Sequence, residues 1–159
     1  MILFLDYDGV LHPDKAYHYH NRGVVLECQW HALFEHADTL AELLEPHPEV
    51  RIVLSTSWVS VLGFDRAKGY LPKTLQKKVR GATYHTSLSH WWPNVTRFQQ
   101  IAGYLARHQP GDWIAVDDDD EGWPDEMRHH LVHTNEWSGL GDHNAQEVLA
   151  HKLANGVVK

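Results

Sequence analysis

Three stretches of the chain end an apolar run on oxygen-bearing side chains. Asp6 and Asp8 follow residues 2–5, Ser55 with Thr56 and Ser57 follows residues 51–54, and Asp117 with Asp118 follows residues 113–116. The last of these opens five consecutive acidic residues, 117–121. As a surface turn that run would be unremarkable. At the end of a buried strand, opposite a second carboxylate pair, its repulsion calls for a hard divalent cation, and Mg²⁺ favours few carboxylates, some water and a phosphate oxygen. Arg97 opens the segment that feeds the acidic strand, within reach of the same edge. Gly9, after Asp8, lets the backbone turn sharply or approach a ligand closely. Asp6-x-Asp8-Gly9 also resembles the start of a calcium loop, but that loop needs an oxygen ligand at its fifth position and Glu at its twelfth, here Val10 and Tyr17. A polar turn after a strand is the remaining plain reading.

The elements that must position these groups follow from pattern. Residues 2–5 and 51–54 read as strands buried on both faces, as in a parallel sheet, where ligands bind beyond the carboxyl ends. Residues 30–45 carry Leu33, Phe34, Ala37, Leu40, Ala41 and Leu44, an amphipathic helical stripe stopped by Pro46 and Pro48. Leu71, Leu75 and Val79 predict a helix from Pro72, and residues 82–95 a short third strand followed by a loop. Thr96 caps a predicted helix to about Arg107, with Phe98, Ile101, Ala102 and Leu105 inward. Strands follow at 113–117 and 131–134. Asp142 caps a last helix with Ala145, Val148, Leu149 and Leu153 inward. This is the βαβ rhythm of a parallel sheet.

The totals fit one globular domain of 159 residues with a full core. A net charge of −7 argues against generic binding to nucleic acid or anionic membrane. Fourteen histidines make that charge sensitive to pH, and seven tryptophans must be core or a recognition surface. A single cysteine, Cys28, rules out an internal disulfide. No secretory signal or membrane-spanning run is evident, so a cytoplasmic setting is expected. Residues 12–29 read as a loop or small flap in which His18 and His20 share a face if extended, a weak ligand spacing. Lys73, Lys77, Lys78 and Arg80 form a local cationic patch that is either a solvated face or a site for a polyanion. Trp91 and Trp92 precede a proline and would anchor a loop or stack on a flat group.

With these residues in view, the chain resembles the haloacid dehalogenase (HAD) superfamily over roughly residues 1–135. Asp6-Tyr-Asp8-Gly-Val-Leu is similar to its motif I, Val53-Leu-Ser55 to motif II, Arg97 to the basic residue of motif III and Val116-Asp117-Asp118 to the acidic motif IV. The Ser-Thr-Ser-Trp after the second strand and the late Gly-Leu before the last helix resemble the small HAD domains of RNA-repair-type proteins.

The resemblance implies a three-layer, Rossmann-like α/β fold with a mainly parallel sheet and a minimal cap. It implies one HAD-like domain over 1–159, with a flap at about 12–29 and an insertion at about 59–95. The activity implied is a Mg²⁺-dependent phosphatase in which Asp6 attacks phosphorus, Asp8 is general acid and base, Ser55 binds a phosphoryl oxygen and Arg97 balances charge. Asp6, Asp8 through its backbone carbonyl, and Asp117 or Asp118 are the implied metal ligands. Dehalogenation would leave Asp8 without a purpose, since halide departs without a proton.

The family usually has Lys at motif III, which keeps Lys77 and Lys78 as alternatives to Arg97; Thr56 or Ser57 could replace Ser55, and the metal ligand could be any of Asp117 to Asp120. An open site resembles members that act on nucleic-acid phosphate ends. A nucleotide or other small phosphate is the alternative substrate, and a non-catalytic phosphate- or partner-binding module the alternative of another class.

Overall fold

In the computed structural model, residues 1–88, 90 and 92–157 are described, and the statements below concern these. The chain runs β1 (Ile2–Leu5), β2 (Ala16–Tyr19), β3 (Gly23–Leu26), α1 (Ala37–Leu44), β4 (Arg51–Leu54), α2 (Ser57–Leu62), α3 (Phe64–Gly69), α4 (Lys73–Gln76), β5 (Val79–Ala82), α5 (Arg97–His108), β6 (Trp113–Asp117), β7 (Leu131–His133) and α6 (His143–Asn155). A five-stranded sheet has the order β5-β4-β1-β6-β7, and its neighbours all pair in parallel. This is a three-layer, Rossmann-like α/β fold.

Three or four apolar residues suffice in each of the central strands β1, β4 and β6 because these strands are covered on both faces. Leu3, Leu5, Ile52, Leu54, Ile114 and Val116 point to one face, where they pack with Leu40 and Leu44 of α1 and Leu149 and Leu153 of α6. Phe4, Val53 and Ala115 point to the other, against Ile101 and Tyr104 of α5. Phe4 is edge-on to Tyr104 and Trp113, at 5.4 and 5.8 Å between centroids. From β1 the chain moves outward to β5, then returns through α5 to lay β6 on the other side of β1. That reversal opens a crevice at the carboxyl ends of β1 and β6, where such sheets bind ligands.

Several expectations shift. The helix foreseen over 30–45 is confined to Ala37–Leu44, because Trp30 and Phe34 have φ of 68° and 60°, left-handed values a helix cannot hold. The Phe34 ring instead packs edge-on to Tyr7 and Trp58. The helix from Pro72 is one turn, and Val79 opens β5 rather than closing that helix. The third strand therefore lies at Val79–Ala82, at the front edge of 82–95. Val148 faces outward, while Ala145, Leu149 and Leu153 are buried. The segment 12–29 holds the antiparallel β2–β3 hairpin. Trp91 lies outside the described residues; the ring of Trp92 packs edge-on to Tyr84. No helix among the described residues is long and apolar enough to cross a membrane.

Candidate active site

β1 delivers Asp6 one residue past its last strand position, and the Asp6 N–H still bonds to Val116 O of β6. Asp6 is buried; its Oδ1 accepts from Tyr7 N (2.8 Å) and its Oδ2 from Arg97 Nη2 (3.0 Å). A capping box between Thr96 and Gln99 fixes the first turn of α5, so Arg97 projects from a defined helix start. Its Nε lies 2.7 Å from Asp117 Oδ2, an ion pair without the alignment of a hydrogen bond. One guanidinium thus spans the ends of β1 and β6. Burial works against its charge, but Asp6 and Asp117 outweigh this and hold its pKa above the ordinary value.

One oxygen from each of Asp6, Asp117 and Asp118 falls within a span of 4.8 Å, and among the described residues these form the one group able to hold a metal ion. His18 and His20 join no such group. Three carboxylates gathered near one guanidinium leave an excess of negative charge in a largely buried crevice. Burial raises the Asp6 pKa, with Asp8 adding and Arg97 opposing. Burial, followed by the Asp6 charge, raises Asp117 well above the carboxylate range. Asp118 is pushed up to about 7 by burial, then by Asp6 and Asp14. This hard-oxygen donor set, short of positive charge, fits Mg²⁺. Asp119 and Asp120 are otherwise engaged, Asp119 Oδ1 with Glu121 N and Asp120 with Arg128 at 2.7 Å.

The sign of the Asp118 shift gives a stability expectation. Its folded pKa exceeds its unfolded value, so ionisation opposes folding, and the metal-free protein loses stability as pH rises through about 7. In EDTA, Asp118→Asn should raise the melting temperature at pH 8 by about 2–6 °C. The advantage should vanish toward pH 4, where both states are protonated. Differential scanning fluorimetry checks it; an equal gain at both pH values would remove Asp118 from the charge cluster.

Asp8 is turned away from the three-carboxylate group. Its Oδ1 meets His12 Nε2 at 3.0 Å and its Oδ2 accepts from Trp58 Nε1 at 2.8 Å. His12 is fully buried, and its Nδ1 accepts from the Phe34 amide at 3.1 Å, so Nε2 carries the proton and donates to Asp8. Two neutral N–H groups on packed rings therefore fix the Asp8 carboxylate while leaving each oxygen a free lone pair. Gly9, at φ 68°, turns the chain just after Asp8, and its N–H donates to His12 O at 2.9 Å. A Cβ there would collide with the Asp118 carboxylate. Its carbonyl accepts from Thr134 Oγ1 of the segment after β7 at 2.8 Å.

Ser55 follows β4, and its buried Oγ has no hydrogen-bond partner among the described residues. A hydroxyl left this way at the carboxyl edge is ready for an oxygen of a ligand. Thr56 caps α2 through Trp58 N (3.4 Å), and Ser57 is the first residue of that helix. Lys77 and Lys78 precede β5, at the amino end of the sheet, and Lys78 Nζ bonds to His47 O there. That places Arg97, not either lysine, beside Asp6. The rest of the cationic patch lies on the same far edge, with Arg80 bonded to Lys77 O at 2.8 Å.

Sequence reasoning did not assign His12 and Trp58 to the site. Trp58 is 50 residues from Asp8 in the chain, so no local spacing links them, whereas His12 directly follows the Asp6–Leu11 stretch and could have been weighed with it.

The family model described as the HAD domain in Swiss Army Knife RNA repair proteins matches residues 2–145. No curated protein and no solved structure is significantly similar to the chain.

Proposed function

The chain belongs to the family of HAD domains found in Swiss Army Knife RNA repair proteins, and from that premise we propose that it is a Mg²⁺-dependent phosphohydrolase acting on a phosphorylated nucleic-acid end. The observation that carries this reading is the division of labour between the two motif aspartates. Asp6 sits among metal-competent carboxylates beside Arg97, while Asp8 is held apart by His12 and Trp58.

In the reaction, an Asp6 oxygen attacks phosphorus and the bond from phosphorus to the leaving oxygen breaks. Asp8, entering this step in its protonated form, hands its proton to that oxygen. Water then attacks the aspartyl-phosphate, Asp8 takes up the water proton, and inorganic phosphate departs with Asp6 restored. Ser55 Oγ donates to a phosphoryl oxygen, and Arg97 balances charge on the phosphoryl group as the bonds exchange. Asp6, Asp117 and Asp118, with the Asp8 backbone carbonyl, would hold Mg²⁺, which when bound supplies Lewis-acid neutralisation of the phosphoryl oxygens.

One observation favours a smaller substrate as a second reading. The cationic patch around Lys78 lies at the amino edge, away from the site, so a long polyanion finds little basic surface there. The test measures phosphate release from phosphorylated oligonucleotides and mononucleotides with Mg²⁺ or EDTA, over a range of salt. Release that needs Mg²⁺ supports the phosphohydrolase. Oligonucleotide preference with a steep fall in salt supports a nucleic-acid end; a flat salt response with mononucleotide preference supports the small phosphate. No release from any ester defeats the catalytic reading.

A further inference from the structure

Two cavities flank the candidate site, and they differ in chemistry. One, of about 320 Å³, borders Arg97, Thr96, Gln100, Asp119 and Glu121 together with Trp92 and Val95, so its walls are mostly polar. The other, of about 120 Å³, lies between the β2–β3 hairpin and α2. Ala16 and Val24 wall it from the hairpin, Trp58, Val61 and Leu62 from the helix, and Asp8 is part of its lining. Its other polar groups are His18 and Ser57, and none of its lining residues is Lys or Arg.

We propose that the hairpin–helix cavity is the leaving-group subsite, and that it selects phosphate monoesters in which the group next to the ester oxygen is uncharged and carries an apolar ring, as the terminal nucleoside of a nucleic-acid end or an aryl group does. The proposal rests on the phosphohydrolase reading, because that reading makes Asp8 the group that protonates the leaving oxygen. A proton donor must lie within hydrogen-bond reach of its acceptor. The leaving oxygen is therefore on the Asp8 side, and what is attached to it enters the cavity that Asp8 lines. The Arg97 cavity does not border Asp8.

Selectivity follows from the walls. Apolar area from Val24, Val61 and Leu62 rewards a group that loses little on leaving water. An anionic substituent would meet no Lys or Arg there and would give up hydration against apolar walls, a cost without compensation. The cavity is small, so one ring fills it and a longer chain must leave past the exposed His18 on the rim.

Three probes separate the parts of this claim: acetyl phosphate, whose leaving group is too small to use the walls; phenyl phosphate; and 4-carboxyphenyl phosphate, similar in shape but anionic. Each enzyme is scored by ratios of kcat/KM, so a loss of folded protein cancels. Val24→Trp, which fills the cavity, should lower the phenyl-to-acetyl ratio about tenfold, the scale of an overpacking penalty of ~1.4 kcal/mol. Val61→Lys, on the exposed rim, should raise the carboxyphenyl-to-phenyl ratio about threefold, the scale of an exposed ion pair. Both ratios within the error of wild type would overturn the subsite while leaving the phosphohydrolase reading intact. No turnover of any of the three probes by the wild-type protein would sink that reading and this inference with it.

Discussion

Asp6→Asn is expected to cut phosphate release by about 10⁴-fold or more, the scale seen when a covalent nucleophile is removed. The carboxamide is nearly isosteric. Its oxygen can still accept from Tyr7 N, and the position stays buried between β1 and β6. What disappears is the anionic oxygen that would bond to phosphorus, together with one ion-pair partner of Arg97. Removing a carboxylate whose charged form burial disfavours should leave the metal-free melting temperature equal or higher. The pair of measurements separates chemistry from folding, because a misfolded variant would lose activity and stability together. Release by Asp6→Asn at the wild-type rate would transfer the nucleophile's role elsewhere.

That two aspartates two residues apart stand in different surroundings is only half legible in the sequence. The ends of β1, β4 and β6 could be read because each is a short apolar run that stops on a polar residue, and a sheet covered on both faces leaves that signature. The start of α5 could be read from Thr96, because a capping box is local in sequence. The settings of the two carboxylates could not. Arg97 reaches Asp6 across 91 residues, and Trp58 reaches Asp8 across 50. Such contacts exist only after the sheet has assembled. The turn at Phe34 was misread for a related reason. Its stripe fits a helix, but the left-handed backbone there presents its N–H to His12 Nδ1 and its ring to Tyr7 and Trp58. In the stretch around Pro72, the four-residue spacing of Leu71, Leu75 and Val79 suits a helix, yet Val79 also opens a strand whose neighbour β4 needs a partner. Pairing across the sheet decided the structure at a point where periodicity was ambiguous.

Arg97→Met should produce the largest loss of stability among single changes at this site, and the loss should depend on metal. The guanidinium is 12% exposed and faces the carboxylates of Asp6 and Asp117 at 3.0 and 2.7 Å. Removing it leaves two buried acids with no cation between them, and breaking a buried pair in this way costs about 3–5 kcal/mol. For a chain of this size that lowers the melting temperature by roughly 6–20 °C. The acids can escape by taking up protons, since burial already raises both of their pKa values. The deficit should therefore be greatest near pH 8 and shrink as pH falls. Millimolar Mg²⁺ should recover part of it at pH 8, because an ion bound only by the folded state stabilises by mass action.

Adding Asp117→Asn to Arg97→Met should return more stability than Asp117→Asn returns to the wild type, the non-additivity expected of groups in contact. Scanning fluorimetry of the four proteins, with EDTA or Mg²⁺, reads each of these. A metal-free melting temperature for Arg97→Met within 2 °C of the wild type, below the ~2–4 °C per kcal/mol scale, would show that the arginine does not neutralise the crevice. The charge balance invoked for the phosphoryl group would then need another source. If instead the variant falls and Mg²⁺ restores it, cation and arginine serve the same carboxylates, and the ends of β1 and β6 act as one electrostatic unit.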